Sequence, residues 1–184
     1  MRTFIAIELD EAIRTRLAQT AEALRGAGCK VRWVTPERMH LTLKFLGEIE
    51  PAALDAVAGA MATAAAGAGA FEIQVAGLGA FPPRGAPRVV WAGVRDPEGQ
   101  LAALHGRLNE ALAAAGFERE RRAFRAHLTL GRVKERRGAE RLRRRLDEQA
   151  GGEFGIQEVR ELVCFRSELS AHGPAYTPLR RQPL

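Results

Sequence analysis

The chain has 184 residues, of which 46% are hydrophobic and 27% are charged, a composition that excludes a disordered chain and suffices for one domain or two small lobes. No segment approaches the ~18 apolar residues of a membrane span, and the N-terminus lacks the long apolar run of a signal peptide, so we expect a cytoplasmic protein that contacts no membrane. Basic residues outnumber acidic ones by 28 to 22, and 25 of them are arginine. Arginine suits phosphate groups, although a biased composition would produce the same excess.

The first half of the chain alternates between strand and helix. Asp10 is a typical N-cap for a helix over residues 11–26, and Pro51 begins an Ala-rich helix that ends near residue 66. Runs of β-branched and other apolar residues predict strands at residues 3–9, 30–34, 39–46 and 71–78.

The second half repeats this order after a loop rich in glycine and proline at residues 79–87. Helices are predicted over residues 97–115 and 139–149, and a tail over residues 166–184. Strands are predicted at residues 88–95, at residues 126–133 and, as one strand or two, at residues 154–165. We therefore predict a single domain that contains an internal repeat, with copies of approximately 1–80 and 87–165, and two related lobes.

The same tetrapeptide, His-Leu-Thr-Leu, stands at residues 40–43 and again at residues 127–130. With four histidines in the chain, a chance match of this kind is improbable. Alternation along a strand places His40 and Thr42 on one face, and His127 and Thr129 do the same in the second copy. If a pseudo-twofold axis relates the lobes, both pairs face one cleft.

Two opposed histidines suit phosphodiester chemistry, because a neutral imidazole can accept a proton while a protonated one donates. The threonine hydroxyls can donate hydrogen bonds to phosphate oxygens. No metal is then required, and no spacing of a zinc site is present. Cys29 and Cys164 form no CxxC motif, so both are expected to be free thiols. Strand histidines kept for packing are the alternative, which the matched pair disfavours.

Five segments around and between the motifs carry a family resemblance: RTFIAI at 2–7, RWVTPE at 32–37, HLTLKFLG at 40–47, PRVVW at 87–91 and FRAHLTLGR at 124–132. The chain resembles the two-histidine phosphoesterases, and within them the RNA 2′,3′-cyclic phosphodiesterases, also called 2′-5′ RNA ligases. The resemblance covers nearly the whole chain. One departure is Ala126, where the family commonly has proline.

The resemblance implies a bilobal α+β fold with an antiparallel sheet and flanking helices in each lobe and a central cleft. It implies that His40 is the proton donor and His127 the proton acceptor in hydrolysis of an RNA terminal 2′,3′-cyclic phosphate to a 2′-phosphomonoester. Thr42 and Thr129 would hold the phosphoryl oxygens, and neither metal nor cofactor is implied. The same machinery would join RNA ends through a 2′-5′ linkage. Candidate substrates include tRNA fragments, and we expect a monomer.

Three further residues are candidates for substrate binding. Arg132 aligns with a family arginine, but its odd offset from His127 requires a β-bulge near Gly131 if the side chain is to reach the cleft. Phe45 stands at the equivalent place in the first copy and could stack a terminal base or fill the core, with core packing favoured. Lys44 shares the parity of His40, so it could reach the cleft or be exposed to solvent.

Other features are less specific. His105 and His172 have no matching partner and are interpreted as structural or surface residues. The basic run from Arg119 to Arg145 would attract an RNA backbone, and its outer arginines (Arg141, Arg143, Arg144 and Arg145) are equally compatible with a solvated helix. Two other functions remain open: a cyclic phosphodiesterase for a small nucleotide or an ADP-ribose cyclic phosphate, and a non-catalytic RNA-binding module.

Overall fold

The computed structural model describes residues 1–170 and 173–184. Its four helices are α1 (Glu11–Arg25), α2 (Leu54–Ala65), α3 (Gln100–Ala114) and α4 (Ala139–Glu148). Its nine strands are β1 (Arg2–Glu8), β2 (Val31–Trp33), β3 (His40–Glu48), β4 (Phe71–Phe81), β5 (Val89–Arg95), β6 (His127–Val133), β7 (Glu153–Val159), β8 (Glu161–Ser170) and β9 (Gly173–Pro183). Within these residues, every helix is too short or too polar to cross a bilayer.

The strands form two antiparallel sheets, in the orders β3-β1-β8-β9 and β2-β6-β5-β4-β7. Helices α2 and α3 pack on each other, with α2 against β9, whereas α1 contacts β7 and α4 contacts β4. Each sheet therefore has its own pair of helices. The expected α+β fold with two antiparallel sheets is confirmed.

Each sheet contains strands from both halves of the chain. The order β3-β1-β8 in one sheet corresponds to β6-β5-β4 in the other. In each sheet, the strand that carries the motif (β3 or β6) pairs with the first strand of its half of the chain (β1 or β5). Yet β4 comes from the first half of the sequence and pairs with β5, while β8 comes from the second half and pairs with β1. Neither sheet thus consists of one half of the sequence, and this mixing ties the lobes together.

The C-terminal tail is a strand that the sequence analysis did not predict. Residues Gly173–Pro183 pair with β8 along their length and form the edge of the first sheet. Proline lacks the N–H that a central strand needs, so a segment with three prolines does not read as a strand, but an edge strand tolerates it. This strand matters because it brings Tyr176 to the face of the sheet that carries the first motif.

The core is filled by leucines and by the small residues of the helices. Four leucines of α3, spaced three or four residues apart, have no exposed surface: Leu101, Leu104, Leu108 and Leu112. Cys29 and Cys164 are both buried free thiols, as expected. Burial raises the pKa of the Cys164 thiol to about 11, so this thiol is protonated and packs as an apolar side chain.

Candidate active site

A cavity of about 690 Å³ lies between the two motif strands. His40 and Thr42 from β3 line it together with His127 and Thr129 from β6. The other predicted site residues, Lys44, Phe45 and Arg132, also line this cavity. The structure therefore brings all seven predicted site residues to one cleft.

Strand alternation divides each motif between the cleft and the core. Leu41 and Leu128 have no exposed surface, and Leu43 and Leu130 are also buried. The histidine and threonine between them are half-buried and face the cavity. The leucines thus anchor each strand in the core, and this fixes the direction in which the polar side chains point.

Each motif ends in a β-bulge at the same place. In β6, Trp91 pairs with Thr129 but the preceding residue, Val90, pairs with Gly131, so Leu130 is the extra residue. In β3, Ala6 pairs with Thr42 and Ile5 with Lys44. A bulge reverses the alternation beyond it. The bulge that was predicted near Gly131 is confirmed, and it leaves Arg132 exposed at the cavity.

The bulge in β3 changes the interpretation of Phe45 and Lys44. The Phe45 side chain is 64% exposed and lines the cavity, so the favoured prediction that it fills the core was wrong. Lys44 is only 8% exposed, so its alternative as a solvent-exposed residue was also wrong. Its ammonium donates hydrogen bonds to Asn109 Oδ1 at 3.1 Å and to the Glu118 carbonyl at 2.7 Å. Burial lowers the pKa of Lys44, whereas the nearby carboxylates of Glu120 and Glu118 oppose this change by raising the pKa.

The two motif histidines are held in the same way. Nδ1 of His40 lies 2.8 Å from the carbonyl oxygen of Arg38, and Nδ1 of His127 lies 2.7 Å from that of Arg125. A carbonyl can only accept, so Nδ1 carries the hydrogen in both rings. Nε2 of each ring is then the nitrogen that can exchange a proton with a ligand in the cavity.

The surroundings of the two rings differ. The His40 ring stacks on Phe4 with 4.7 Å between ring centroids and meets the edge of Tyr176 at 5.2 Å. This burial lowers the pKa of His40, and the hydrogen bond to Arg38 opposes the change. His127 has one aromatic neighbour among the described residues, Phe81, in an edge contact at 5.2 Å.

The pattern of the chain is shared with known proteins. The family model described as LigT-like phosphoesterase matches twice, over residues 7–91 and 93–176, and each match contains one His-Leu-Thr-Leu motif. The chain belongs to the LigT-like phosphoesterase family. A protein of Archaeoglobus fulgidus named RNA 2′,3′-cyclic phosphodiesterase is 38% identical over 182 residues, which cover 98% of each chain. A protein of the same name from Methanothermobacter thermautotrophicus is 36% identical, over 97% of this chain and 96% of the relative.

Solved structures, among them that of E. coli LigT, have the same fold. The crystal structure of TT0787 of Thermus thermophilus superimposes with a TM-score of 0.81 at 29% identity and covers 100% of this chain and 98% of its own. E. coli LigT, crystallised in complex with 3′-AMP, superimposes with a TM-score of 0.77 at 26% identity, over 100% of this chain and 97% of LigT.

Several residues of this LigT-like cleft were not identified from the sequence. Phe4 looked like one apolar residue of a strand, and Tyr176 lay in a tail without predicted structure. His105, interpreted as a structural or surface residue, stacks on Phe124 with 4.0 Å between ring centroids and also lines the cavity. His172 lies outside the described residues.

The cleft is strongly basic. Six arginines and two lysines line it, and Glu120 is the one acidic residue among the described residues of its lining. From the basic run at 119–145, four cationic side chains line the cavity: Arg122, Arg125, Arg132 and Lys134. Outside the cavity, Arg143 donates to the carbonyls of Pro82 and Gly85, and Arg145 to that of Ala23, so these two arginines brace neighbouring segments. In the described part of the chain, no cluster of three acidic, histidine or cysteine side chains is placed to hold a metal ion.

Proposed function

We propose that this chain hydrolyses the terminal 2′,3′-cyclic phosphate of RNA to a 2′-phosphomonoester, using its two motif histidines and no metal ion. The main support is that two identical motifs present His40, Thr42, His127 and Thr129 to one basic cavity, with Nδ1 of both rings tied to backbone carbonyls. The relatives that are named RNA 2′,3′-cyclic phosphodiesterases support the choice of substrate.

In this mechanism one ring takes a proton from the attacking water and the other ring gives a proton to the leaving group. Nε2 of His127 takes the proton from water, and the water oxygen attacks phosphorus in line with the P–O3′ bond. That bond breaks, and Nε2 of His40 gives its proton to the departing O3′. The assignment of His40 as the donor follows the family resemblance, and burial beside Phe4 lowers the pKa of His40, which makes a proton bound to this ring more acidic.

The other predicted residues act on the phosphate and the base. The hydroxyls of Thr42 and Thr129 donate to non-bridging oxygens, where negative charge develops during the reaction. Arg132 adds a guanidinium at the same cavity. Phe45, exposed and 6.0 Å from the Phe4 ring, offers a face on which the terminal base can stack.

The same steps with another nucleophile give the ligase reaction. With a 5′-hydroxyl RNA end in place of water, His127 would take the proton from that hydroxyl, O3′ would depart with a proton from His40, and a 2′-5′ linkage would form. We extend the proposal to a monomer that acts on RNA fragments, tRNA fragments among them. Water is by far the more concentrated nucleophile, so hydrolysis dominates in dilute solution.

The test is turnover of a short RNA with a 2′,3′-cyclic phosphate end in the presence of EDTA. His40→Ala and His127→Ala should each lower kcat by ~10²–10⁴-fold, and chromatography should identify a 2′-phosphate as product. His105→Asn is the matched control, because His105 lines the same cavity outside both motifs. Absence of turnover by the unmodified chain, or equal losses in all three variants, would contradict the proposal.

A further inference from the structure

The lining of the cavity includes a cluster of arginines near Tyr176. The arginine cluster consists of Arg2 from β1, Arg32 from β2, Arg38 from the turn before β3, and Arg132 from β6, and all four line the cavity together with Tyr176. Terminal nitrogens of Arg38 and Arg32 lie 2.6 and 3.1 Å from the point that a Cβ on Gly173 would occupy. Two guanidinium groups therefore approach the same residue of β9, close to the strand position of Tyr176.

The charges of this cluster repel one another. Arg32 and Arg132 are direct partners across the β2–β6 pair, an arrangement that is unfavourable for like charges. Among the described residues, Arg2, Arg32 and Arg132 form no salt bridge, whereas outside the cavity arginines such as Arg25, Arg119 and Arg181 are paired with glutamates. The electrostatic influence of all four guanidinium groups reaches the Tyr176 hydroxyl: burial raises its pKa and the arginines lower it.

The reacting phosphate alone does not account for this much positive charge. A cyclic phosphodiester carries a single negative charge, and the motifs already offer it two hydroxyls and a protonated imidazole. Arg132 lies just beyond the bulge that follows Thr129 and can reach that phosphate. Arg32 lies one strand further out, on the edge strand β2, and Arg2 comes from the other sheet. A second anionic group beside the first would offset the repulsion.

We propose that Arg2, Arg32 and Arg38 of the arginine cluster bind a second phosphate of the substrate, the one attached to O5′ of the terminal nucleotide. This inference rests on the proposed function and specifies its substrate class: an RNA end with a phosphodiester before the last nucleotide, rather than a free nucleoside 2′,3′-cyclic phosphate. Arg32 and Arg2 then determine substrate specificity, and Tyr176 donates its hydroxyl hydrogen to the same phosphate.

The experiment compares substrates that differ only in this phosphate. The kcat/KM of adenosine 2′,3′-cyclic phosphate is measured against that of the same compound with a 5′-phosphate and against a dinucleotide with the same end. The chain should favour the two phosphate-bearing substrates by about tenfold or more, with a preference that declines as salt rises. Arg32→Gln and Arg2→Gln should each reduce this preference several-fold. Arg144→Gln, which removes the same charge from an exposed site outside the cavity, should retain it.

A binding measurement separates this inference from the proposed function. Adenosine 2′,5′-bisphosphate should bind more tightly than adenosine 2′-phosphate, and Arg32→Gln should remove most of that difference. A binding preference without turnover of any substrate upholds the second phosphate site and contradicts the proposed function. Turnover with no preference for the 5′-phosphate, or with equal loss on all substrates in Arg32→Gln, overturns the second site and leaves the proposed function intact.

Discussion

The two motif histidines have identical neighbours in sequence and different neighbours in space. Both are followed by Leu-Thr-Leu, and both donate Nδ1–H to the carbonyl of the residue two positions before them. His40, however, lies among the rings of Phe4, Phe165 and Tyr176, which come from β1, β8 and β9. Among the described residues, His127 has Phe81 alone. The repeat thus supplies two equivalent imidazoles, and the surrounding strands make them unequal.

In the proposed mechanism, this inequality distinguishes the roles of the two rings. A symmetric pair could transfer protons in either direction, because each ring could serve as acid or base. Burial on one side lowers the pKa of His40, so a proton carried by that ring is more acidic, and fewer of the rings carry one in the empty cavity. In the proposed mechanism, the bound anionic substrate counteracts this effect, because a negative charge beside the ring favours the imidazolium form of His40 that donates the proton.

The largest difference between the two histidines is expected with a substrate whose leaving group needs no proton. In an RNA end whose O3′ is replaced by sulfur, the departing thiolate is stable without protonation near neutral pH. His40→Ala should lose ~10²–10⁴-fold in kcat/KM on the oxygen substrate but far less on the sulfur substrate, whereas His127→Ala should lose similarly on both. Rescue of His127→Ala rather than His40→Ala by sulfur would reverse the roles of the two rings.

The two bulges can also be compared by how much each contributes to the stability of the fold. Gly131 and Lys44 occupy the same position after each motif. A Cβ at Gly131 would lie 2.6 Å from Val31 Cγ1 and 2.9 Å from the Trp33 ring, so Gly131→Ala should cost about 1–3 kcal/mol of unfolding free energy. Lys44→Met removes two hydrogen bonds that tie β3 to Asn109 and Glu118, and should cost about 1–3 kcal/mol.

Urea unfolding measures both changes, with Gly106→Ala as the control. Gly106 lies inside α3 and a Cβ there would meet nothing within 4 Å, so this substitution should stabilise the chain by about 0.5–1 kcal/mol. If Gly131→Ala were as harmless as Gly106→Ala, the close packing of β2 on the second bulge would be contradicted. An unchanged midpoint for Lys44→Met would mean that its ammonium does not brace the segment leading to β6.

What the sequence reveals about this site depends on whether the signal is local. Strand alternation predicts the cleft-facing side of both motifs, and the requirement that Arg132 reach the cleft predicts the bulge at Gly131. If a bulge had been predicted in the first copy as well, the directions expected for the Lys44 and Phe45 side chains would have been exchanged, because the bulge in β3 reverses them. The parity of a regular strand failed there for a physical reason: the extra residue has no signature in a run of ordinary strand formers.

Contacts between distant segments are the part that sequence patterns do not contain. Tyr176 reaches His40 because a proline-containing edge strand completes the first sheet, and no periodicity in that segment indicates a strand. The exchange of β4 and β8 between the sheets is likewise invisible to spacing, since either strand has the apolar character to fit either place. The family resemblance supplied the bilobal fold, whereas the environment that distinguishes the two histidines came only from three-dimensional packing.

The smallest expected effect concerns the pH dependence of the donor. The proposed mechanism requires protonated His40, so kcat/KM should decline as pH rises through the pKa of that ring, which burial holds below its usual value. Phe4→Ser admits water to the stacked face, raises the pKa toward the ordinary ~6.5 and should move the alkaline limb of the profile to higher pH by a fraction of a unit. Phe81→Ser, made beside His127, should leave this limb in place because Phe81 contacts the other ring.

Titration of the imidazole NMR signals checks the same shift without turnover. A limb that moves with Phe81 and not with Phe4 would assign the donor's role to His127, since the aromatic enclosure acts only on the ring that it touches.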